Sequence, residues 1–242
     1  MRVAVISDIH SNLHALEAVL AAIDTDPVEE LWCLGDVVGY GPRPNECCDL
    51  VQERARFCLC GNHDLAVRGT LDLAEFSGDA AVAAWWTRGT LAERSLEWLN
   101  GLEPQGTAHG VRLFHASARD PVWEYVLTDE AAVATLLLTE EQLVLVGHSH
   151  VALHVAMRGT ELEGSPAPNG TVLGLGEARW ILNPGSVGQP RDGDPDAAYL
   201  VLDLTAGTAT FRRAPYDVAR TQAEMREAGL PELLAARLEL GQ

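Results

Sequence analysis

Side chains that could hold a cation or move a proton fall in five short clusters. They are Asp8 and His10 in "SDIH", Asp36 in "LGD", Asn62, His63 and Asp64 in "GNHD", His115 in "LFH", and His148 and His150 in "GHSH". Asp8, His10, Asp36, Asn62, His115, His148 and His150 form a ligand list without a thiolate. Carboxylate, imidazole and amide together suit Mn, Fe, Co, Ni or Zn in an open site rather than a closed structural zinc site. Seven ligands are too many for one ion. They suit two divalent ions ~3.5–4 Å apart, the arrangement that clamps both oxygens of an in-line phosphoryl displacement. Taken singly, a Gly-Asp is a turn and an Asn-His-Asp an Asx-turn. Five such clusters, each after an apolar run, are not explained as turns. His14, His109 and His154 fall outside the pattern and read as structural or surface residues.

The elements that must position these groups are short apolar, β-branched runs: "RVAVIS", "EELWCL", "RFCLC", "VRLFH", "QLVLVG", "VALHVAM", "RWILN" and "AAYLVLDL". The first five end on the clusters, and strand carboxyl ends at a sheet edge are where ligands bind. Helical spacing recurs over 12–24, with Ser11 or Asn12 as N-cap, and a second helix starts at Pro44. Residues 79–100 read as two helices broken near Gly89, the second opening with a Thr90-x-x-Glu93 capping box. Residues 129–138 and 216–240, interrupted at Gly229-Leu230-Pro231, complete the helices. The first half alternates strand and helix, which favours parallel strands. After residue 143 strand follows strand, which predicts a second, more antiparallel sheet. The Gly/Pro-rich stretch 158–178 reads as a hairpin connection or loop. One α/β domain spans 1–242, with a helical, cap-like insertion at about 65–105.

Composition narrows the partners. The formal net charge is −18 and every one of the 17 basic residues is Arg. Such a surface repels nucleic acid and anionic membranes, and no apolar run approaches the ~18 residues of a membrane span. The five cysteines (Cys33, Cys47, Cys48, Cys58, Cys60) lack C-x-x-C spacing and read as reduced thiols of a cytoplasmic protein. Whether the chain forms an oligomer stays open.

In order and type, the clusters resemble the signature of the calcineurin-like metallophosphoesterase superfamily: D-x-H, G-D, G-N-H-D/E, a lone H, and G-H-x-H. "NPGSVGQPR" at 183–191 is similar to its small bacterial branch of phosphodiesterases and diadenosine-tetraphosphatase-like proteins. The resemblance implies a four-layer α-β-β-α sandwich with two mixed sheets. It implies that Asp8, His10 and His150 hold one ion and Asn62, His115 and His148 the other, with Asp36 bridging and manganese favoured. A bridging water would attack, His63 would give a proton to the leaving group, and Asp64 would orient the His63 ring and favour its cation. The implied activity is hydrolysis of phosphodiester or phosphoanhydride bonds in small nucleotide substrates. A phosphomonoesterase, or a metal-bound scaffold without catalysis, is the alternative. Arg191 is a candidate phosphate clamp, or else a surface residue paired with Asp192 or Asp194. Trp123 and Tyr125 either stack on a nucleobase or are buried. Trp85 and Trp86 cap the site or cover a dimer face.

Overall fold

After Arg2, residues 3–6 carry no polar side chain, the pattern of a strand buried on both faces. The computed structural model describes residues 1–73, 76 and 78–242 and places β1 (Arg2–Ile6) in the middle of a sheet. Successive side chains point to opposite faces, so Ala4 and Ile6 enter one core and Val3 and Val5 another. The first core lies under α1 (Leu13–Ile23) and α2 (Pro44–Arg54), where Leu16, Val19, Leu20, Cys47 and Val51 meet the sheet. Asn12 is the N-cap of α1, its Oδ1 accepting from the Ala15 amide at 3.2 Å, and Pro44 opens α2 as its fixed φ allows.

Among the described residues the strands form two six-stranded sheets. The first runs β3 (Ala55–Cys58), β2 (Glu30–Cys33), β1, β11 (Ala197–Asp203), β12 (Thr208–Ala214), β9 (Val172–Gly174). The second runs β4 (Gln105–Ala108), β5 (Val111–Phe114), β6 (Leu143–Leu145), β10 (Arg179–Pro184), β7 (Ala152–Arg158), β8 (Glu161–Pro166). Between the sheets lies the core of Val3, Val5, Trp32, Leu34, Leu113, Leu145, Leu182 and Leu200. The outer face of the second sheet packs Phe114, Val144, Val146 and Ile181 against α6 (Asp129–Leu137). Helix, sheet, sheet and helix make four layers.

The division of sheets by chain halves does not hold. Each sheet joins a parallel trio to antiparallel strands: β11 inserts beside β1 with Val3 opposite Leu202, and β10 lies parallel to β6. A buried central strand needs hydrogen-bonding neighbours along both edges, and late strands fill the free edges of β1 and β6. Nor is 158–178 a plain connection. It carries β8 in one sheet and β9 in the other, and so crosses between them.

The 79–100 region also differs in detail. Helix α4 (Gly78–Thr90) runs through Gly89, and α5 (Glu93–Asn100) has Ala92 as its N-cap without a side-chain cap. Thr90 does not form the capping box because its Oγ1 donates back to the Trp86 carbonyl at 2.9 Å. Asn45 of α2 replaces it, with Oδ1 accepting from the Ala92 amide at 2.7 Å and Nδ2 donating to the Thr90 carbonyl at 3.1 Å. A short α3 (Asn62–Val67) precedes α4. Positions 74, 75 and 77 of the expected 65–105 insertion lie outside the described residues. The tail forms α7 (Val218–Glu227), α8 (Glu232–Ala236) and a 3-10 turn (Arg237–Leu240). All five cysteines are free thiols. No helix among the described residues is long and apolar enough to cross a membrane.

Candidate metal centre

The turns that follow β1, β2, β3, β5 and β6 bring the sequence clusters together. Ligand atoms of Asp8, His10 and His150 lie within 4.8 Å of one another, as do those of Asp36, His115 and His148. Asn62 Oδ1 stands 3.3 Å from His115 Nε2. All seven side chains are buried.

Hydrogen bonds outside the cluster fix which ring atoms face inward. His10 Nδ1 is 3.2 Å from the Val38 carbonyl, His115 Nδ1 2.9 Å from that of Leu34, and His150 Nδ1 2.7 Å from that of Gln189. A carbonyl only accepts, so each neutral ring carries its proton on Nδ1 and turns a lone pair inward at Nε2. His148 is reversed: Nε2 donates to the Trp123 carbonyl at 3.1 Å, which leaves Nδ1 as its lone-pair atom. His10 Nε2 and His150 Nε2 face each other at 3.0 Å. Two lone pairs at that distance repel unless they share a cation.

The carboxylates are divided in the same way. Asp8 Oδ2 accepts from the His148 amide at 3.1 Å and Asp36 Oδ1 from the His63 amide at 2.9 Å. Asp8 Oδ1 and Asp36 Oδ2 are buried without a hydrogen-bond partner. Asp36 Oδ2 lies 3.6 Å from both His10 Nε2 and His115 Nε2, between the two triads. Burial pushes the Asp8 carboxyl up to about 7 and Asp36 well above its ordinary range. Burial likewise holds His10 and His150 well below theirs and pulls His148 down to about 3. This donor set lacks positive charge, and two divalent cations fit it: they would hold both carboxylates ionised and satisfy the lone pairs.

A model of the calcineurin-like phosphoesterase superfamily domain matches residues 1–207. The chain belongs to that superfamily. It is 42% identical to a metallophosphoesterase from Sphaerobacter thermophilus, whose crystal structure superposes with a TM-score of 0.90 and covers 100% of this chain and 99% of that one. An uncharacterized protein of Methanocaldococcus jannaschii is 36% identical over 244 residues, 99% of this chain and 98% of that protein. A hypothetical protein from Pyrococcus horikoshii shares the fold at 20% identity, with a TM-score of 0.82 over 100% of this chain and 98% of its own. The metallophosphoesterases of this superfamily are hydrolases of phosphoesters.

The metallophosphoesterase centre is built on unusual backbone. Asp8, His10, Asp36, His148 and His150 have φ between 51° and 63°, a left-handed conformation that non-glycine residues rarely adopt. Such conformations persist where the surroundings over-determine them. Here the "NPGSVGQPR" stretch does so. Asn183 Nδ2 donates to the Gly147 carbonyl at 2.7 Å and to Ser149 Oγ at 3.0 Å, while Ser186 Oγ donates to the Asp8 carbonyl at 2.7 Å. That stretch ties the D-x-H turn to the G-H-x-H turn, a role no spacing rule shows. At Gly61 an added Cβ would stand 2.1 Å from Asp36 Oδ1, so only glycine admits the carboxylate there.

The expected pairing of His63 with Asp64 is not present. Asp64 Oδ1 accepts from the Val38 amide at 3.0 Å, and its Oδ2 from Gly61 at 3.0 Å and Val37 at 3.2 Å. Asp64 occupies the third position of α3, where a carboxylate folds back onto the helix entry. That geometry turns it from the neighbouring ring and onto the G-D and G-N turns. His63 packs instead edge-on to His10 and Phe76, with ring centroids 4.8 and 4.9 Å away, and beside Tyr40 at 4.4 Å. Its Nδ1 is buried without a partner, and burial lowers its pKa well below the ordinary value.

A cleft of about 180 Å³ opens onto these rings and is bordered by Phe76, Trp123, Tyr125, Tyr40 and Arg191. Tyr125 is not buried: it is 46% exposed and stacks on His148 at 4.3 Å with rings 6° from parallel. Arg191 pairs with neither Asp192 nor Asp194. Arg213 of β12 holds Asp192 and leans on Asp194 at 3.8 Å. Arg191 reaches Gln189 Oε1 at 3.1 Å and Tyr40 Oη at 3.4 Å. Trp86 packs with Met225, Leu230 and Leu234, whereas Trp85 faces solvent. Tyr40 is a site residue that the motifs missed; its place in "GDVVGYG", four after Asp36, is the only sequence signal.

Proposed function

We propose that this metallophosphoesterase is a dinuclear enzyme that hydrolyses phosphodiester or phosphoanhydride bonds of small nucleotides. The observation that carries the reading is the unpartnered Asp36 Oδ2, 3.6 Å from one imidazole of each triad. Asp8, His10 and His150 would hold one ion, and Asn62, His115 and His148 the other, with manganese favoured for this oxygen and nitrogen set. Two divalent cations supply positive charge to the phosphoryl oxygens and lower the pKa of a water toward neutrality.

The protein's residues do the rest. The seven ligands and the cleft walls orient the phosphoryl group. His63, whose ring lies within 4.8 Å of the Asp36 carboxylate but makes no ion pair with a described carboxylate, serves as a neutral hydrogen-bond donor to a phosphoryl or leaving oxygen rather than as a ready-made imidazolium. Arg191 neutralises a phosphate oxygen. The flat faces of Tyr125 and Trp123 give a nucleobase a stacking surface, and the cleft is smaller than the ~300–1,000 Å³ of drug-sized sites, which favours a small phosphoryl group with its planar substituent outside.

Manganese-loaded protein should hydrolyse bis-p-nitrophenyl phosphate, with nucleotides and dinucleoside polyphosphates as better substrates. Asp36→Ala should lose that turnover by orders of magnitude and hold fewer than two ions per chain by elemental analysis. A wild-type chain that holds two ions yet turns over no mono-, diester or anhydride would sink the reading in favour of a scaffold.

A further inference from the structure

The tail from 208 onward lies beyond the residues matched by the superfamily model, yet it sends a side chain onto Tyr40, a residue of the cleft wall. Arg237, in the 3-10 turn after α8, sets its guanidinium over the Tyr40 ring at 5.4 Å, and Arg191 stands 6.0 Å from the same ring. Both guanidinium groups donate to one acceptor, Gln189 Oε1, so the two cations are neighbours. Neither forms an ion pair among the described residues, although the chain has 35 acidic side chains. Both Nε atoms are buried without a partner.

Other half-buried arginines here are engaged. Arg213 holds Asp192, and Arg68 donates to the Leu99 and Leu102 carbonyls at 2.8 and 2.9 Å. Arg179 donates to the carbonyls of Leu136, Thr139 and Glu141. Two adjacent, part-buried cations that form no ion pair with a described residue repel and are costly to desolvate, and burial, with Arg191 beside it, pulls Arg237 below its ordinary pKa. Among the described carboxylates, Asp79 of α4 acts on Arg237 to raise its pKa but makes no ion pair with it. An arrangement of this kind is relieved by a bound anion. Arg191 borders the same cleft as Asp36, His63 and His148, so the anion would sit beside the metal centre.

We propose that Arg237 and Arg191 form a second anion subsite next to the metal centre, and that the substrate carries a second phosphate linked to the scissile one. Guanidinium forks match phosphate oxygens in pairs, and Tyr40 and Gln189 hold the two forks in place. Arg237 then sets specificity: it separates linked phosphates from simple esters. The identity of the anion rests on the phosphoesterase reading; the subsite itself does not.

The test measures binding, so turnover is not needed. Methylenediphosphonate, which resists hydrolysis, and inorganic phosphate are titrated calorimetrically into protein held with excess manganese. Wild type should prefer the diphosphonate, and Arg237→Gln should reduce that preference about tenfold or more, with Arg237→Lys in between because it keeps charge without the fork. A preference unchanged in Arg237→Gln whose thermal melt matches wild type would overturn the subsite. Should Arg237→Gln fold poorly, an unchanged preference in Arg237→Lys would overturn it equally. Discrimination of the two anions by a chain that hydrolyses no ester would remove the hydrolase reading and leave the subsite standing. Turnover of bis-p-nitrophenyl phosphate without discrimination would do the reverse.

Discussion

His63 and Asp64 are adjacent in sequence and do different work. Asp64 joins two turns by accepting three backbone amides, from Val37, Val38 and Gly61. Asp64→Ala should therefore leave buried donors unpaired and cost about 2–4 kcal/mol, read by urea unfolding of the metal-free protein. A loss under about 0.5 kcal/mol would show that the carboxylate does not brace these turns. His63→Ala should keep both ions while kcat on a poor leaving group falls about 10²-fold or more. A variant as fast as wild type would show that the imidazole gives nothing to the reaction. At this scale the sequence was readable where chemistry is written in residue type: all seven proposed ligands meet in one cluster. It was not readable where direction matters. "GNHD" names a carboxylate beside an imidazole, and only the capping position of Asp64 in α3 turns it away.

Elements explain which features escaped. Eight strands were legible from apolar runs, whereas β4, β8, β9 and β12 were not, and neither was partner choice, because β11 pairs with β1 across almost the whole chain and no local pattern encodes that distance. The break between α4 and α5 shows the same limit. Its cap comes from Asn45, on another helix, and Thr90 turned to its own helix instead. Asn45→Ala should cost about 0.5–2 kcal/mol, as loss of a helix cap does, and should loosen the α4–α5 corner to amide exchange. Unchanged protection at Ala92 would mean that the corner is held by packing alone.

On the scale of the molecule, one carboxylate joins three helical segments. Glu224 of α7 meets Arg43, the N-cap residue of α2, at 2.8 Å and His14 of α1 at 3.0 Å. Arg43, and then His14, pull its pKa down to about 2 from an ordinary 4.5. A folded-state value below the unfolded one gives stability that is present above the ordinary glutamate range and lost as pH falls from about 4.5 toward about 2. With Arg43 partly in solvent, the gain is on the order of 1 kcal/mol. Wild type should exceed Glu224→Gln by that margin at pH 7, and the two melting curves should converge near pH 2. A constant gap across that range would place the effect in shape rather than charge.

The two triads also constrain the order in which the molecule is made. Asp8 and His148 are 140 positions apart and share a hydrogen bond, and the residues bracing them, Asn183 and Ser186, come later still. Closing so long a loop is slow and unrewarded until both ends arrive. A divalent ion that meets the unfolded chain would therefore find only the short D-x-H and H-x-H pairs, each a small part of the seven-residue cluster. Tight metal binding would thus be reserved for folded copies, and ion uptake during refolding should lag behind the burial of Trp32 and Trp180 rather than lead it.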